Sequence, residues 1–177
     1  MEELKKESIV YLSIGSNLGD RFLNIQHAIN LIEETIGIIL NCSTIYENPP
    51  IDFDADDLFY NCCLELKTNL SVEEVLIKTQ AIENQIGRKK KLISGYESRL
   101  IDIDIIYFEQ LIYSTDKIII PHLKLSERKF VLIPLKEIAA DFIDPRLNLS
   151  IKELVEKCLD NSVLVKTTKS LKLKITQ

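Results

Sequence analysis

Arg99-Leu100-Ile101-Asp102-Ile103-Asp104 sets two acids two residues apart in an apolar run that continues through Ile105-Ile106-Tyr107-Phe108. In a strand, alternate side chains share a face, so Asp102 and Asp104 point the same way. Two carboxylates side by side repel, and one resists ionisation unless a cation lies between them. Arg99 stands three residues upstream of Asp102, and four consecutive bases, Arg88-Lys89-Lys90-Lys91, precede it. Paired acids beside bases suit magnesium-assisted phosphate chemistry: the acids hold the metal and the bases hold the phosphates. Taken alone, the same pattern is also that of an ordinary strand with one wet face. The rest of the chain decides between them.

The elements that must position these residues follow from the pattern of the 177 residues. Ile9 to Ile14 is an apolar, β-branched run and predicts a strand. Gly15-Ser16-Asn17-Leu18-Gly19-Asp20 is a turn, with Asp20 as a helix cap. Phe22, Ile25, Ile29, Ile32 and Ile36 recur at helical spacing up to Gly37. Ile38 to Tyr46 predicts a second strand, broken by Glu47-Asn48-Pro49-Pro50-Ile51 and an acidic loop to Asp57. Phe59 to Thr68 predicts a third. Ser71-Val72-Glu73-Glu74 is a capping box opening a helix that runs to about Ile86, before Gly87. The Asp102/Asp104 strand comes next. Lys117 to Pro121 suggests a short strand, Lys129 to Ala140 a strand passing into a helical turn, and Ser150 to Leu159 a closing helix. The lysine-bearing tail from Lys166 is expected to be peripheral. The order is a ferredoxin-like βαββαβ core of α+β class: a mostly antiparallel sheet with helices packed on it.

Composition narrows the function. Hydrophobic residues make up 46% and charged residues 28%, a globular balance sufficient for one domain with a real core. The formal net charge of −5 argues against nonspecific nucleic-acid binding. No apolar run reaches membrane-spanning length and Met1-Glu2-Glu3-Leu4-Lys5-Lys6 is no signal peptide, so a cytoplasmic protein without membrane contact is expected. Cys42, Cys62, Cys63 and Cys158 show neither C-x-x-C spacing nor a disulfide framework and are expected to be buried and reduced. With only His27 and His122 beside them, a zinc site is not expected.

The second helix carries an anomaly. Val72, Leu76, Thr79, Glu83 and Ile86 fall on one stripe, so Glu83 occupies a place that the core reserves for apolar residues and needs a partner or a ligand. Gln80 lies on the neighbouring edge. With these residues in place, the chain resembles the 6-hydroxymethyl-7,8-dihydropterin pyrophosphokinases of folate biosynthesis. The resemblance rests on Ile14-Gly15-Ser16-Asn17-Leu18-Gly19, Tyr46-Glu47-Asn48-Pro49-Pro50, Phe59-Tyr60-Asn61, Gln80-Ala81-Ile82-Glu83 with Gly87-Arg88, Arg99-Leu100-Ile101-Asp102-Ile103-Asp104, Pro121-His122, and Arg128-Lys129-Phe130-Val131-Leu132-Ile133-Pro134-Leu135. It runs from about Ile9 to Pro145, so a single pyrophosphokinase domain over 1–177, with a C-terminal helix and tail, is expected.

The resemblance implies transfer of the β,γ-pyrophosphoryl group of ATP to the hydroxymethyl group of the pterin, with release of AMP. It implies two magnesium ions held by Asp102 and Asp104. Arg88, Arg99, Asp102 and Asp104 would form the catalytic set, and Gln80, Glu83, Arg88, Lys90, Tyr96, Arg99, Ile105, His122 and Arg128 would meet ATP. Arginine suits phosphate because its planar fork binds two oxygens at once. Phe59 and Phe130 would stack on the flat pterin. Asn61 offers a donor and an acceptor side by side for its edge, with Asn48, Pro49 and Ile51 completing it. Beyond ATP and the pterin no partner is expected, and the protein is expected to be a monomer. The segment from Gly87 to Ser98, rich in bases and poor in apolar residues, would close over the nucleotide. The chain departs from the family pattern at Tyr96-Glu97, where many members have Trp-Gly, at Lys90 (Arg in some), at Leu123 (Tyr in others) and at Asn48 (commonly Thr). Two other readings fit parts of the pattern: a different magnesium-dependent phosphoryl or nucleotidyl transferase, and a non-catalytic ferredoxin-like binding module.

Overall fold

The computed structural model describes residues 6–49, 58–87 and 99–174. Strand β1 (Ser8–Ser16) is buried throughout from Val10 onward, because it lies inside the sheet with α-helices over both faces. It pairs antiparallel with β4 (Phe59–Thr68) on one side and β5 (Asp102–Phe108) on the other. Helix α1 (Arg21–Thr35) starts where the Asp20 carboxylate accepts from the Leu23 N–H at 3.0 Å, and buries Ile25, Ala28, Ile29 and Ile32. Helix α2 (Val72–Ile86) opens on the expected capping box, with the Ser71 hydroxyl and the Glu74 carboxylate satisfying each other's backbone N–H groups. It ends at Gly87, whose φ of 120° only glycine adopts without strain.

The sheet runs β5-β1-β4, then β3 (Tyr46–Asn48) and β8 (Val165–Lys166), with β2 (Ile38–Cys42) also paired to β4; this is the expected ferredoxin-like order, and each of these pairs is antiparallel. The expected second strand is two strands rather than one: β2 (Ile38–Cys42) and β3 (Tyr46–Asn48). Ser43 causes the break. Its hydroxyl takes the Cys63 N–H at 2.9 Å, and the Thr44 N–H turns to the Glu137 carboxylate at 2.7 Å, so side chains replace ladder bonds there.

A small hairpin of β6 (Tyr113–Ser114) and β7 (Ile119–Ile120) follows β5, and a single 3-10 turn (Leu125–Glu127) leads into α3 (Lys129–Ala139). The sequence predicts a strand at the start of this last segment; it is helical throughout. Val131, Leu132 and Leu135 form an i, i+1, i+4 stripe that is buried against the sheet. That burial outweighs the helical bond Pro134 cannot make. Helix α4 (Ile151–Lys157) starts on a second capping box, Ser150 with Glu153.

The sheet thus separates two apolar layers. Val10, Leu12, Ile14, Leu64, Leu66, Ile103 and Ile105 pack under α1 and α2. Tyr11, Cys63, Ile106 and Tyr107 pack under α3 and α4. Cys62 and Cys63 are buried as expected, whereas Cys42 and Cys158 are only half-buried; all four are free thiols. The tail is peripheral as expected, at the outer edge of the sheet and mostly exposed, yet it is tied to the fold. Strand β8 (Val165–Lys166) pairs with β3, and Leu171 and Leu173 pack against the first layer. No helix among the described residues is long and apolar enough to cross a membrane.

Candidate active site

Strand register lines up the chemistry. Asp102 pairs with Gly15, Gly15 with Asn61, and Asn61 with Tyr46, a row straight across four strands. Residues directly opposite one another share a face, so Asp102 and Asn61 project from the same side of the sheet. Asp104, opposite Ser13, lies on that side too. It is the side that α3 covers, and the N-terminus of α3 delivers Arg128 and Phe130 to it.

Each acid has a cationic neighbour. Arg99 Nη1 donates to Asp102 Oδ1 at 2.7 Å, and Arg128 Nη1 lies 3.9 Å from Asp104 Oδ2. The carboxylates retain 29% and 38% of their side-chain exposure, so a solvent-borne cation can reach them. Sequence reading missed what holds Arg99. Buried Asn17 accepts the Arg99 N–H through Oδ1 at 2.7 Å and donates its own N–H to the Arg99 carbonyl at 3.1 Å. The signal was in the turn Gly15-Ser16-Asn17, since a buried amide needs partners.

Beside the outer edge of β5 runs a cleft of about 420 Å³, lined by Gln80 and Glu83 of α2, Arg99, Asp102 to Ile105, the hairpin residues 115–119, His122 and Leu123. Glu83 is 2% exposed, and its Oε1 accepts the Ile103 N–H at 2.8 Å. That explains an acid on an apolar stripe: it satisfies an edge N–H that no strand among the described residues pairs. Because Ile103 turns its N–H outward, Ile105, two residues on, also turns its backbone N–H and carbonyl to the cleft. Gln80 is exposed at the cleft mouth.

His122 closes the far end. Its backbone N–H donates to the Ile106 carbonyl at 3.1 Å, its ring Nδ1 accepts the Lys124 N–H at 3.3 Å, and Arg146 Nη2 donates to the preceding Pro121 carbonyl at 2.9 Å. Burial, and next the Arg128 charge, depress its pKa to about 4, so the ring is neutral at pH 7. Bonding at Nδ1 leaves the proton on Nε2.

On β3 and β4, Asn61 Nδ2 donates to Asn48 Oδ1 at 2.6 Å, and Asn48 Nδ2 donates to the Pro49 carbonyl at 2.8 Å. Both amides are buried, at 3% and 2% exposure. A Cβ on Gly15 would come within 2.6 Å of Asn61 Oδ1, so glycine leaves the space that the amide fills. Phe59, opposite Asn48, is half-buried near Gly15, and Phe130 stands with the Arg128 guanidinium 5.7 Å from its ring centre.

The register and the cleft bring together Gln80, Glu83, Arg99, Asp102, Asp104, Ile105 and His122, with Arg128 at their border. They bring Asn48, Pro49, Phe59 and Asn61 together on the neighbouring strands. Arg88, Lys90, Tyr96 and Ile51, and the rest of the 88–98 segment, lie outside the described residues. Among the described residues no three His, Cys, Asp or Glu side chains converge as a closed metal cage. Two half-exposed carboxylates without a third ligand suit a hard cation that keeps its waters and takes substrate phosphates, as magnesium does.

Residues 11–140 match the family described as 7,8-dihydro-6-hydroxymethylpterin-pyrophosphokinase (HPPK). The chain belongs to that family. It is 43% identical over 143 residues to the folic acid synthesis protein FOL1 of Dictyostelium discoideum, covering 81% of this chain and 21% of that protein. It is 37% identical over 132 residues to the 2-amino-4-hydroxy-6-hydroxymethyldihydropteridine pyrophosphokinase of Bacillus subtilis, covering 74% of this chain and 78% of that one. The fold is shared with Plasmodium falciparum HPPK-DHPS (TM-score 0.72, 17% identity, 89% of this chain and 46% of that chain). The chain spans about a fifth of the length of the first curated relatives it matches, whose coverage is 21%, 21% and 20%.

Proposed function

We propose that this chain, as one monomeric, cytoplasmic HPPK domain, transfers pyrophosphate from ATP to 6-hydroxymethyl-7,8-dihydropterin, giving AMP and the pterin pyrophosphate, with two magnesium ions. The observation that carries the reading is the transverse row Asp102–Gly15–Asn61. Two strand spacings separate the acid from the amide, about 10 Å, which is the span of a pterin ring with its hydroxymethyl arm reaching a phosphate.

In this reading Asn61 and Asn48 meet the in-plane edge of the pterin, and Phe59 and Phe130 stack on its faces. The arm points along the row toward Asp102. The edge of β5 at Ile105 meets the adenine, with Gln80 and Glu83 as one wall. Magnesium held by Asp102 and Asp104 would neutralise charge on the phosphates and at the attacking and leaving oxygens. Arg99 exchanges one anion for another: it leaves Asp102 for the phosphates as the nucleotide enters. Neutral His122 donates from Nε2 to a phosphate oxygen. The hydroxymethyl oxygen then attacks the β-phosphorus, the bond from that phosphorus to the AMP oxygen breaks, and the hydroxyl proton leaves to Asp102 or to water. Positioning and charge neutralisation supply most of the rate. Arg88, Lys90, Tyr96 and Ile51 belong to the same proposal on sequence grounds.

The test is direct. Purified chain is incubated with ATP, magnesium and the pterin, and the products are identified. AMP with the pterin pyrophosphate is the expected result; ADP, or turnover undiminished by EDTA, would defeat the reading. Elution on a sizing column at the mass of one chain would accord with a monomer.

A further inference from the structure

Strand β3 is three residues long, yet it carries Asn48. So short a strand needs support on its outer edge. It receives support from a segment outside the 11–140 region that matches the family. Strand β8 pairs with it, Lys166 opposite Tyr46 and Val165 opposite Glu47, and the Thr167 N–H donates to the Ile45 carbonyl at 3.0 Å.

Glu137 of α3 gathers the same few residues from the other side. Its Oε2 accepts the Thr44 N–H at 2.7 Å; its Oε1 accepts the Tyr46 hydroxyl at 2.6 Å and Lys166 Nζ at 2.7 Å. Residues 44–46 are therefore gripped between α3 and β8. Tyr46 stands opposite Asn61, the amide that Asn48 holds at 2.6 Å. The far end of the segment is tied down as well. Gln26 and Lys172 exchange two hydrogen bonds at 2.8 Å, and the Lys174 N–H donates to Glu33 at 2.9 Å. Leu171 and Leu173 pack against the core.

We propose that residues 165–167 and Glu137 are positioning elements for the pterin edge, holding β3 so that Asn48 meets Asn61 before the pterin arrives. This rests on reading Asn48 and Asn61 as the pterin-binding amides. A mere edge cover would protect β3 from other chains without affecting the pterin.

The experiment compares the unaltered chain with Lys166→Met, with Lys166→Met/Thr167→Pro, with Glu137→Gln, and with Lys174→Met as a control at the distal end. Calorimetry gives the Kd for 6-hydroxymethyl-7,8-dihydropterin; steady-state kinetics give the ATP KM and kcat at saturating pterin; hydrogen exchange reads the amides of Tyr46, Glu47 and Asn48. The double variant should weaken pterin binding by about ten-fold, with a smaller loss in Lys166→Met and Glu137→Gln. Its ATP KM and kcat should stay within about twofold, and exchange at the three amides should speed up. Lys166→Arg should restore the pterin Kd, and Lys174→Met should leave it unchanged. An unchanged pterin Kd in the double variant, or equal losses for ATP and pterin, would overturn the proposal. Failure of the functional reading would appear elsewhere, in the unaltered chain, as absent pterin binding, and would remove this inference with it.

Discussion

Asp102 lies 2.7 Å from Arg99 and Asp104 lies 3.9 Å from Arg128, so the acid pair is electrostatically balanced before any metal arrives. That balance makes each acid replaceable without unfolding the protein, since both face the cleft rather than the core. Asp102→Asn and Asp104→Asn should each lower kcat by roughly 10^3 or more while leaving the melting temperature near that of the parent, because transition-state charge would go unneutralised. Single-turnover assays with thermal melts check both halves of this expectation. Asn61→Ala should weaken pterin binding by about 1–3 kcal/mol through an unpaired buried partner, with ATP affinity little changed by calorimetry. Gly15→Ala should imitate it, because the added Cβ meets Asn61 Oδ1 at 2.6 Å and must move that amide. The acid pair and Asn61 were legible in the sequence because a polar residue in an apolar strand stands out. The partner of Glu83 was not: no spacing rule links α2 to a backbone N–H of β5 twenty residues on. Asn17 escaped for the same reason, since its partners lie on the far side of the 88–98 segment.

At the scale of elements, helices with caps were legible, as was the short strand within Lys117 to Pro121, whereas β3 and β8 were not. Ser71-Val72-Glu73-Glu74 and Ser150 with Glu153 announce helix starts by local chemistry, and both capping boxes form. The break at Ser43 depends on Cys63 and Glu137, which are distant in sequence, so Ile38 to Tyr46 read as one strand. Strand β8 is two residues long and has only tertiary reasons to exist. The register itself yields a prediction at Gly37, the turn between α1 and β2. A Cβ there would approach the Lys67 carbonyl oxygen to 2.2 Å, and a backbone atom of a paired strand cannot step aside. Gly37→Ala should lower stability by roughly 1–3 kcal/mol, the range for overpacking. Urea unfolding measures it; an unchanged midpoint would mean that the α1–β2 junction yields more easily than its pairing implies.

For the whole molecule, one sheet sealed on two faces fixes how stability follows pH. His122 is held neutral by burial and by Arg128, with a pKa near 4 against an ordinary 6.5. A basic group depressed in the folded state contributes stability that is complete above the unfolded value and is lost as pH falls toward the folded one. Stability should therefore decline from about pH 6.5 toward pH 4. On the alkaline side, burial and then a hydrogen bond to Glu137 push Tyr46 up to about 12. Burial, with carboxylate partners, raises Tyr107 and Tyr11 in the same direction. An acid raised in the folded state contributes stability that is complete below its unfolded value and is lost above it. Stability should fall again above about pH 10, where unfolded tyrosines ionise. Melting temperatures across pH should form a plateau between these limits. His122→Gln should flatten the acid limb alone, because the tyrosines lie on other contacts. Magnesium–ATP should also shift that limb, since phosphates beside the ring favour its protonated form. An acid limb that neither His122→Gln nor the nucleotide alters would place the titrating group elsewhere in the fold.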